Sequence, residues 1–201
     1  MRRTRAKQEQ RAVLTTQVRA AADSAGMDAM DGAALVERLS QTEGLIEWAA
    51  TDTLLQRGSE SVPALLTGLS HASGKIRATC ALLLDHVADD RCISGLLQAI
   101  RHDPHESVRR CALHSLICDG CKECPLTTDV VSALIEVAGN DRSVAVRRRA
   151  VFYLSQQRPD ARVAPFLESL LAREKDPVLL RRAENALKQH IRQQHTRELV
   201  R

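Results

Sequence analysis

The chain has 201 residues, of which 44% are apolar, 2% are aromatic and 27% are charged, and its formal net charge is +4. A core built from Ala, Leu, Val and Ile favours close helix packing over strands, which prefer β-branched and aromatic residues. No apolar run reaches the roughly 20 residues that span a bilayer, so no membrane segment is predicted. The mild positive charge permits an acidic partner without requiring one.

Residues 1–26 are predicted to form a basic capping helix. The segment MRRTRAKQEQR begins it and is not followed by an apolar region, so it lacks the pattern of a secretory signal. Val13, Leu14 and Val18 give this helix a weak apolar face. Without an export signal, the six cysteines are expected to be reduced or metal-bound, which predicts a cytoplasmic protein.

Residues 27–193 carry two apolar signatures that recur together. The first is an apolar pair with a third apolar residue three positions later, and it starts at Leu35, Leu65, Leu96, Leu134 and Phe166. The second is an aliphatic residue with a small residue four positions later and usually a leucine eight positions later, and it starts at Ile46, Ile76, Val108, Val146 and Leu179. These spacings place each set on one helical face, and successive units start 30, 31, 38 and 32 residues apart.

Turn residues agree with a pair of helices in each unit. Asp103-Pro104 and Asp176-Pro177 place an N-cap residue before a proline in the first helical turn. One helical hairpin cannot bury its apolar stripe alone, so neighbouring hairpins must stack. We therefore predict an all-α fold, an α-solenoid with an extra N-terminal helix, a polar end at 194–201 and about five hairpins, at residues 30–57, 61–87, 90–118, 127–157 and 162–192.

The segments VRRCALHSL and VRRRAVFYL, each five residues after an Asp, resemble the second helix of a HEAT repeat. The period near 30 is similar to the short bacterial repeats of phycobilin lyases and many adaptor proteins. The resemblance covers roughly residues 30–190. It implies an armadillo-like helical scaffold or adaptor, expected to be a monomer, that binds a protein partner on a concave face made by the second helices.

Arginines near the start of the second helices have two interpretations. In HEAT repeats, the Arg after the aliphatic position pairs with an Asp of the adjacent hairpin turn. The resemblance thus implies a structural ladder of Asp103, Arg109, Asp141, Arg147 and Asp176. The arginines that this pairing does not use are the predicted partner-binding residues of the concave face: Arg110, Arg148, Arg149 and Arg182.

Two other functions stay open at this point. The same arginines would form a groove for nucleic-acid phosphates, as in HEAT-like DNA glycosylases. Binding is expected there more than catalysis, because base handling needs aromatic platforms, and no aromatic cluster is expected near these arginines. The other alternative is a phycobilin-lyase-like chaperone that holds a chromophore. No Ser-His-Asp order, H-E-x-x-H motif, Walker loop or G-x-G-x-x-G motif is present, so no catalytic residue and no enzyme are predicted.

The interval between the third and fourth hairpins is about six residues longer than the others, and it contains a cysteine-rich insert at 117–126. Tetrahedral zinc takes four sulfur or nitrogen ligands at C-x2-C-type spacing. The candidate ligands are His114, Cys118, Cys121 and Cys124, with Cys111 as the alternative to the histidine. An iron–sulfur cluster is the variant hypothesis. Loop thiols without a metal, or a redox pair, are the remaining interpretations.

Overall fold

The computed structural model describes residues 2–40, 44–122 and 124–199, and the side chains of 11–40, 44–122 and 124–193. Met1, residues 41–43, Glu123 of the insert and residues 200–201 lie outside the described residues. The described chain contains α-helices, turns and short 3-10 segments and no strand. Its α-helices are α1 (Arg2–Ser24), α2 (Gly32–Arg38), α3 (Leu45–Gln56), α4 (Val62–Gly68), α5 (Gly74–Val87), α6 (Ile93–His102), α7 (Glu106–Ile117), α8 (Val130–Asn140), α9 (Val144–Gln156), α10 (Val163–Arg173) and α11 (Pro177–Leu199).

The predicted all-α class is confirmed, and the helix starts follow from the sequence. The Asp31 carboxylate accepts a hydrogen bond from the Ala34 N–H (2.7 Å) at the start of α2. The Asp129 carboxylate does the same for Ser132 N–H at the start of α8. Helix α11 extends through the described part of the predicted polar end. None of the described helices is both long and apolar enough to cross a membrane.

Residues up to 96, together with 114–126, form one of two compact units. In this unit, α2 packs on α3 and α4 packs on α5, while α2 also contacts α4 and α3 contacts α5. First helices thus pack on first helices and second helices on second, and α1 packs against α3. The core of the unit consists of fully buried side chains that belong to the repeated signatures: Leu35, Leu54, Leu65, Ile76 and Leu84.

Residues 97–113, together with 127 onwards, form the second unit. The same order of contacts holds here, since α8 packs on α9, α10 on α11, α8 on α10 and α9 on α11. Its core again comes from the repeated signatures, with Leu134, Val146, Leu154, Leu167 and Leu179 buried. His190 lies in this core, where its Nε2 is 2.9 Å from the Leu154 carbonyl oxygen.

Candidate functional site

The Arg109–Asp141 pair joins the start of α7 to the turn before α9. Arg109 Nε lies 2.8 Å from Asp141 Oδ2, and Nη2 lies 2.9 Å from Oδ1. The two side chains are only 3% and 5% exposed. Arg109 Nη1 also donates to the Asp103 carbonyl oxygen at 3.0 Å, while the Asp103 carboxylate accepts from His105 N–H. The buried guanidinium therefore joins two inter-helix turns of the second unit.

The next rung of the expected ladder differs from the prediction. Arg147 donates to Glu174 Oε2 at 2.9 Å, and Asp176 pairs with Arg148 through both carboxylate oxygens. Glu174 is held in reach of Arg147 because its Oε1 accepts the N–H groups of Lys175 and Asp176. The sequence pattern had indicated that Arg148 lacks an acidic partner, and its pairing with Asp176 corrects this.

All four predicted partner-binding arginines line one surface depression of about 330 Å³ in the second unit. We call Arg110, Arg148, Arg149 and Arg182 the arginine cluster. They come from the second helices α7, α9 and α11. Phe152 also lines the depression, together with Ala145 and Val178, and the Phe152 residue is 42% exposed. The depression is therefore lined by both cationic and apolar side chains.

Sequence reasoning had not included Phe152. The signal was present, because Arg148 and Phe152 are four positions apart on α9 and so share a helical face. The next residue along, Tyr153, contacts one member of the cluster, because the Arg149 guanidinium carbon lies 5.7 Å from its ring centroid. That distance is within the range of a cation–π contact, which orients Arg149 without neutralising its charge.

The arginine cluster retains net positive charge among the described residues. Arg148 donates hydrogen bonds to Asp176, and this lowers the pKa of the Asp176 carboxyl to about 2. Arg110 reaches Glu106 only at 3.9 Å, and the Arg110 side chain is 48% exposed. Arg182 Nη1 donates to the Arg148 carbonyl oxygen at 3.1 Å, a neutral acceptor. Four guanidinium groups thus face two contacting carboxylates, and the excess charge is available to an anionic ligand.

A second group of functional side chains lies in the first unit. Asp85 of α5, His114 of α7, and Cys118 and Cys121 of the insert each offer one ligand atom, and these atoms lie within 4.8 Å of one another. We call these four residues the cysteine cluster. His114 Nε2 is 3.1 Å from Asp85 Oδ2, and the Cys118 and Cys121 sulfur atoms are 3.3 Å apart. This arrangement is a candidate metal-binding cluster.

The cysteine cluster differs from the ligand set predicted from the sequence. His114, Cys118 and Cys121 are brought together, whereas Cys124 is exposed and Cys111 is half-buried, and neither belongs to the cluster. Asp85 is present in their place. It was missed because it lies 29 residues before His114 in the sequence. The available signal was a carboxylate directly after the core residue Leu84.

Lys122 is the residue of the insert that contacts Asp85 directly after Cys121. The Lys122 side chain is only 1% exposed, and its Nζ lies 3.6 Å from Asp85 Oδ1 and donates to the Cys118 carbonyl oxygen. The inward position after Cys121 is therefore occupied by an ammonium group.

The thiols of the chain are all free, and their surroundings differ. The pKa of the Cys121 thiol is raised to about 12, mainly by its hydrogen bond with Cys118 and next by that with Asp85. Burial raises the pKa of Cys80 to about 12, and burial is also the main reason why the pKa of Cys92 is raised. Cys80 stands where other units have a small core residue, which fits a packing role.

Comparison with family models identifies the repeats in one part of the chain. Residues 93–188 match the family model described as HEAT repeats. These residues are HEAT repeats. The resemblance inferred from VRRCALHSL and VRRRAVFYL is thereby confirmed, and both segments lie inside the match. The helices that carry the arginine cluster are the second helices of these HEAT repeats.

One of the solved structures compared has a similar fold. The chain is similar to a structure of the complex of CpcE and CpcF of phycocyanin lyase from Nostoc sp. PCC7120, with 21% identity and a TM-score of 0.60, over 76% of this chain and 95% of that chain. A designed armadillo repeat protein aligns at 15% identity with a TM-score of 0.43, over 91% of this chain and 94% of that chain. No curated protein matches the sequence. The predicted HEAT-type α-solenoid class is confirmed.

Proposed function

We propose that this HEAT-repeat chain is a scaffold or adaptor that binds an acidic protein partner through the arginine cluster. The observation that carries the proposal is the convergence of four arginines from three second helices around the exposed ring of Phe152. Arginines and aromatic side chains are the residue types enriched where protein interfaces gain most of their binding energy. Carboxylates of the partner would pair with the guanidinium groups, and an apolar side chain would cover Phe152.

The composition of the depression favours a protein partner over nucleic acid. Single-stranded nucleic acid is held by successive bases stacked on aromatic side chains. In the described part of the depression, Phe152 is the one aromatic ring, and Arg148 already shares its charge with Asp176. A planar guanidinium binds a carboxylate through two parallel hydrogen bonds, which suits Asp and Glu side chains of a partner.

Binding to acidic peptides tests this proposal. Fluorescence anisotropy would measure the affinity for Glu- and Asp-rich peptides that carry one Leu or Phe. We expect Arg110→Glu with Arg149→Glu to weaken binding by at least about ten-fold, because attraction becomes repulsion at two contacts. The matched control is Arg158→Glu with Lys188→Glu, which makes the same change in net charge at exposed positions of the second unit that do not line the depression. Equal affinities of the two variants would contradict the proposal.

The same titration with single-stranded and duplex oligonucleotides tests the nucleic-acid alternative. The adaptor proposal predicts weak oligonucleotide binding that Arg110→Glu with Arg149→Glu changes no more than the control does. Oligonucleotide binding that this variant abolishes, with no peptide binding by the unmodified chain, would replace the adaptor function with a nucleic-acid-binding one.

A phycobilin-lyase-like chaperone is the second candidate function, and the depression itself favours it. Guanidinium groups around an exposed ring match the carboxylates and conjugated plane of an open-chain tetrapyrrole. Addition of a bilin to the purified chain, followed by absorption spectroscopy, distinguishes the two functions. The adaptor proposal predicts an unchanged pigment spectrum, and a shifted band that disappears in Arg110→Glu with Arg149→Glu would favour the chaperone.

We also propose that any metal held by the cysteine cluster is structural. The cysteine cluster and the arginine cluster have no residue in common, and they belong to different compact units. Partner binding therefore does not require chemistry at the metal.

A further inference from the structure

We propose that Asp85, His114, Cys118 and Cys121 bind one zinc(II) ion. The set offers two sulfur atoms, one imidazole nitrogen and one carboxylate oxygen, and all three ligand types are used by protein zinc sites. The proposal is independent of the adaptor function, since it concerns other residues.

Two distances within the cluster are close to those of tetrahedral coordination, and all four ligand atoms lie within 4.8 Å of one another. Zinc binds sulfur at about 2.3 Å and nitrogen or oxygen at about 2.0–2.1 Å, so tetrahedral ligand atoms lie roughly 3.3–3.8 Å apart. The two sulfur atoms are 3.3 Å apart, and the His114 Nε2 to Asp85 Oδ2 distance is 3.1 Å. Side-chain movements of a few tenths of an ångström bring both pairs to zinc geometry.

The buried carboxylate of Asp85 is an independent indication of a ligand. The Asp85 residue is 2% exposed, and its Oδ1 atom has no hydrogen-bond partner. A buried acceptor without a partner lowers stability, because it has lost its contacts with water. The Asp85 side chain is already directed at the two sulfur atoms and the imidazole. A metal ion at this point would satisfy the carboxylate.

Lys122 balances the charge of such a site. Zinc(II) with two thiolates, one carboxylate and a neutral imidazole carries one net negative charge. The ammonium group of Lys122 lies 3.6 Å from Asp85 Oδ1 and is almost completely buried. It brings the total to zero, and a neutral assembly avoids the cost of burying an unpaired charge.

The donor set favours zinc over other ions. Calcium and magnesium take oxygen ligands, and common iron–sulfur clusters take three or four cysteines. Four protein ligands around one ion leave no open position, which is typical of structural zinc. The ligands come from α5, from the end of α7 and from the insert, so the ion would fix the start of the insert to α5.

Metal analysis of the full-length chain tests the proposal. The protein would be purified with reductant, incubated with zinc(II) and freed of excess metal. Inductively coupled plasma mass spectrometry would then measure its zinc content. We expect one zinc per chain in the unmodified protein. Cys121→Ser changes an exposed side chain and should fold, as checked by circular dichroism, yet lose the zinc. Asp85→Asn should lower the zinc affinity by at least about ten-fold.

Cys124→Ser and Cys111→Ser are the matched controls, since each removes one thiol outside the cluster. Both should retain one zinc per chain. Cobalt(II) in place of zinc should give the absorption bands of a tetrahedral thiolate site, weaker in Cys121→Ser. Absence of bound zinc in the reduced, folded chain would overturn the proposal. Loss of zinc in Cys124→Ser, or iron with acid-labile sulfide in place of zinc, would overturn it as well.

Discussion

Arg109 and Arg110 are neighbours in one motif but have different roles, because one is buried and the other is exposed. Arg109 is buried, shares two hydrogen bonds with Asp141 and contacts the Asp103 carbonyl group. The adjacent Arg110 is half exposed and lines the depression. The sequence shows two arginines in succession, but the helical turn of about 100° per residue directs one inward and the next towards solvent.

Removal of the Arg109 guanidinium should destabilise the fold. Arg109→Met leaves the Asp141 carboxylate buried without a cation, and we expect a loss of about 3–5 kcal/mol in the free energy of unfolding. Urea denaturation measures it. Arg110→Met is the control and should stay within about 0.5 kcal/mol. Arg109→Met with Asp141→Leu should recover most of the loss, and equal effects of Arg109→Met and Arg110→Met would contradict the role of burial.

The ion pair between Arg148 and Asp176 should make stability depend on pH in acid. The folded-state pKa of Asp176, about 2, lies below its usual value of 3.8. The ionised carboxylate therefore contributes stability above pH 3.8, and this contribution is lost as the pH falls towards 2. Thermal unfolding between pH 5 and pH 2 should show a smaller decrease for Asp176→Asn than for the unmodified chain. Parallel curves for the two proteins would contradict this contribution.

At the scale of elements, small residues set how closely the helices approach. Gly68, near the end of α4, lies against Cys80 of α5, and a Cβ atom at Gly68 would overlap the Cys80 sulfur. Val36 of α2 lies 3.2 Å from the same position. The cysteine at the small position of the repeat therefore depends on a glycine in the paired helix, which the repeat pattern alone did not indicate.

Substitution of this glycine tests the packing of α4 on α5. Gly68→Ala should lower the free energy of unfolding by about 1–3 kcal/mol, because the overlap outweighs the better helix propensity of alanine. Gly68→Ala with Cys80→Ala should recover the loss, since the overlapping sulfur is removed. Gly120→Ala is the control, as its added Cβ meets no atom within 4 Å. Thermal unfolding measures all three, and no loss in Gly68→Ala would refute the close approach.

The helix pairs were predictable from the sequence because the same apolar spacing repeats in each pair. Five copies of the same apolar spacing indicated helix pairs whose apolar faces pack together, and Leu65 and Ile76 are buried as that spacing requires. The candidate sites were predictable only where their residues lie close in sequence, as His114, Cys118 and Cys121 do. Asp85 comes from a different helix pair. Arg148 pairs with Asp176 because Glu174 already pairs with Arg147, the expected partner of Asp176. Both features depend on tertiary contacts that periodicity does not encode.

At the scale of the whole molecule, the chain has a different candidate site in each compact unit. The first unit carries the cysteine cluster, for which a structural metal is proposed, and the second carries the arginine cluster, for which partner binding is proposed. Because the arginine cluster is exposed, its attraction for an acidic partner should decrease as salt screens the charges. Binding to the cluster should therefore be steered by charge and anchored at Phe152.

The most direct test of the adaptor proposal is to locate the bound partner on the protein surface. Nuclear magnetic resonance of the isotope-labelled chain, titrated with an acidic peptide that carries one leucine, would follow the arginine Nε–H and Phe152 ring signals. We predict the largest shifts at Arg110, Arg148, Arg149, Arg182 and Phe152, with Arg158 unchanged. Shifts that leave the arginine cluster unaffected while the peptide binds elsewhere would contradict the proposed function.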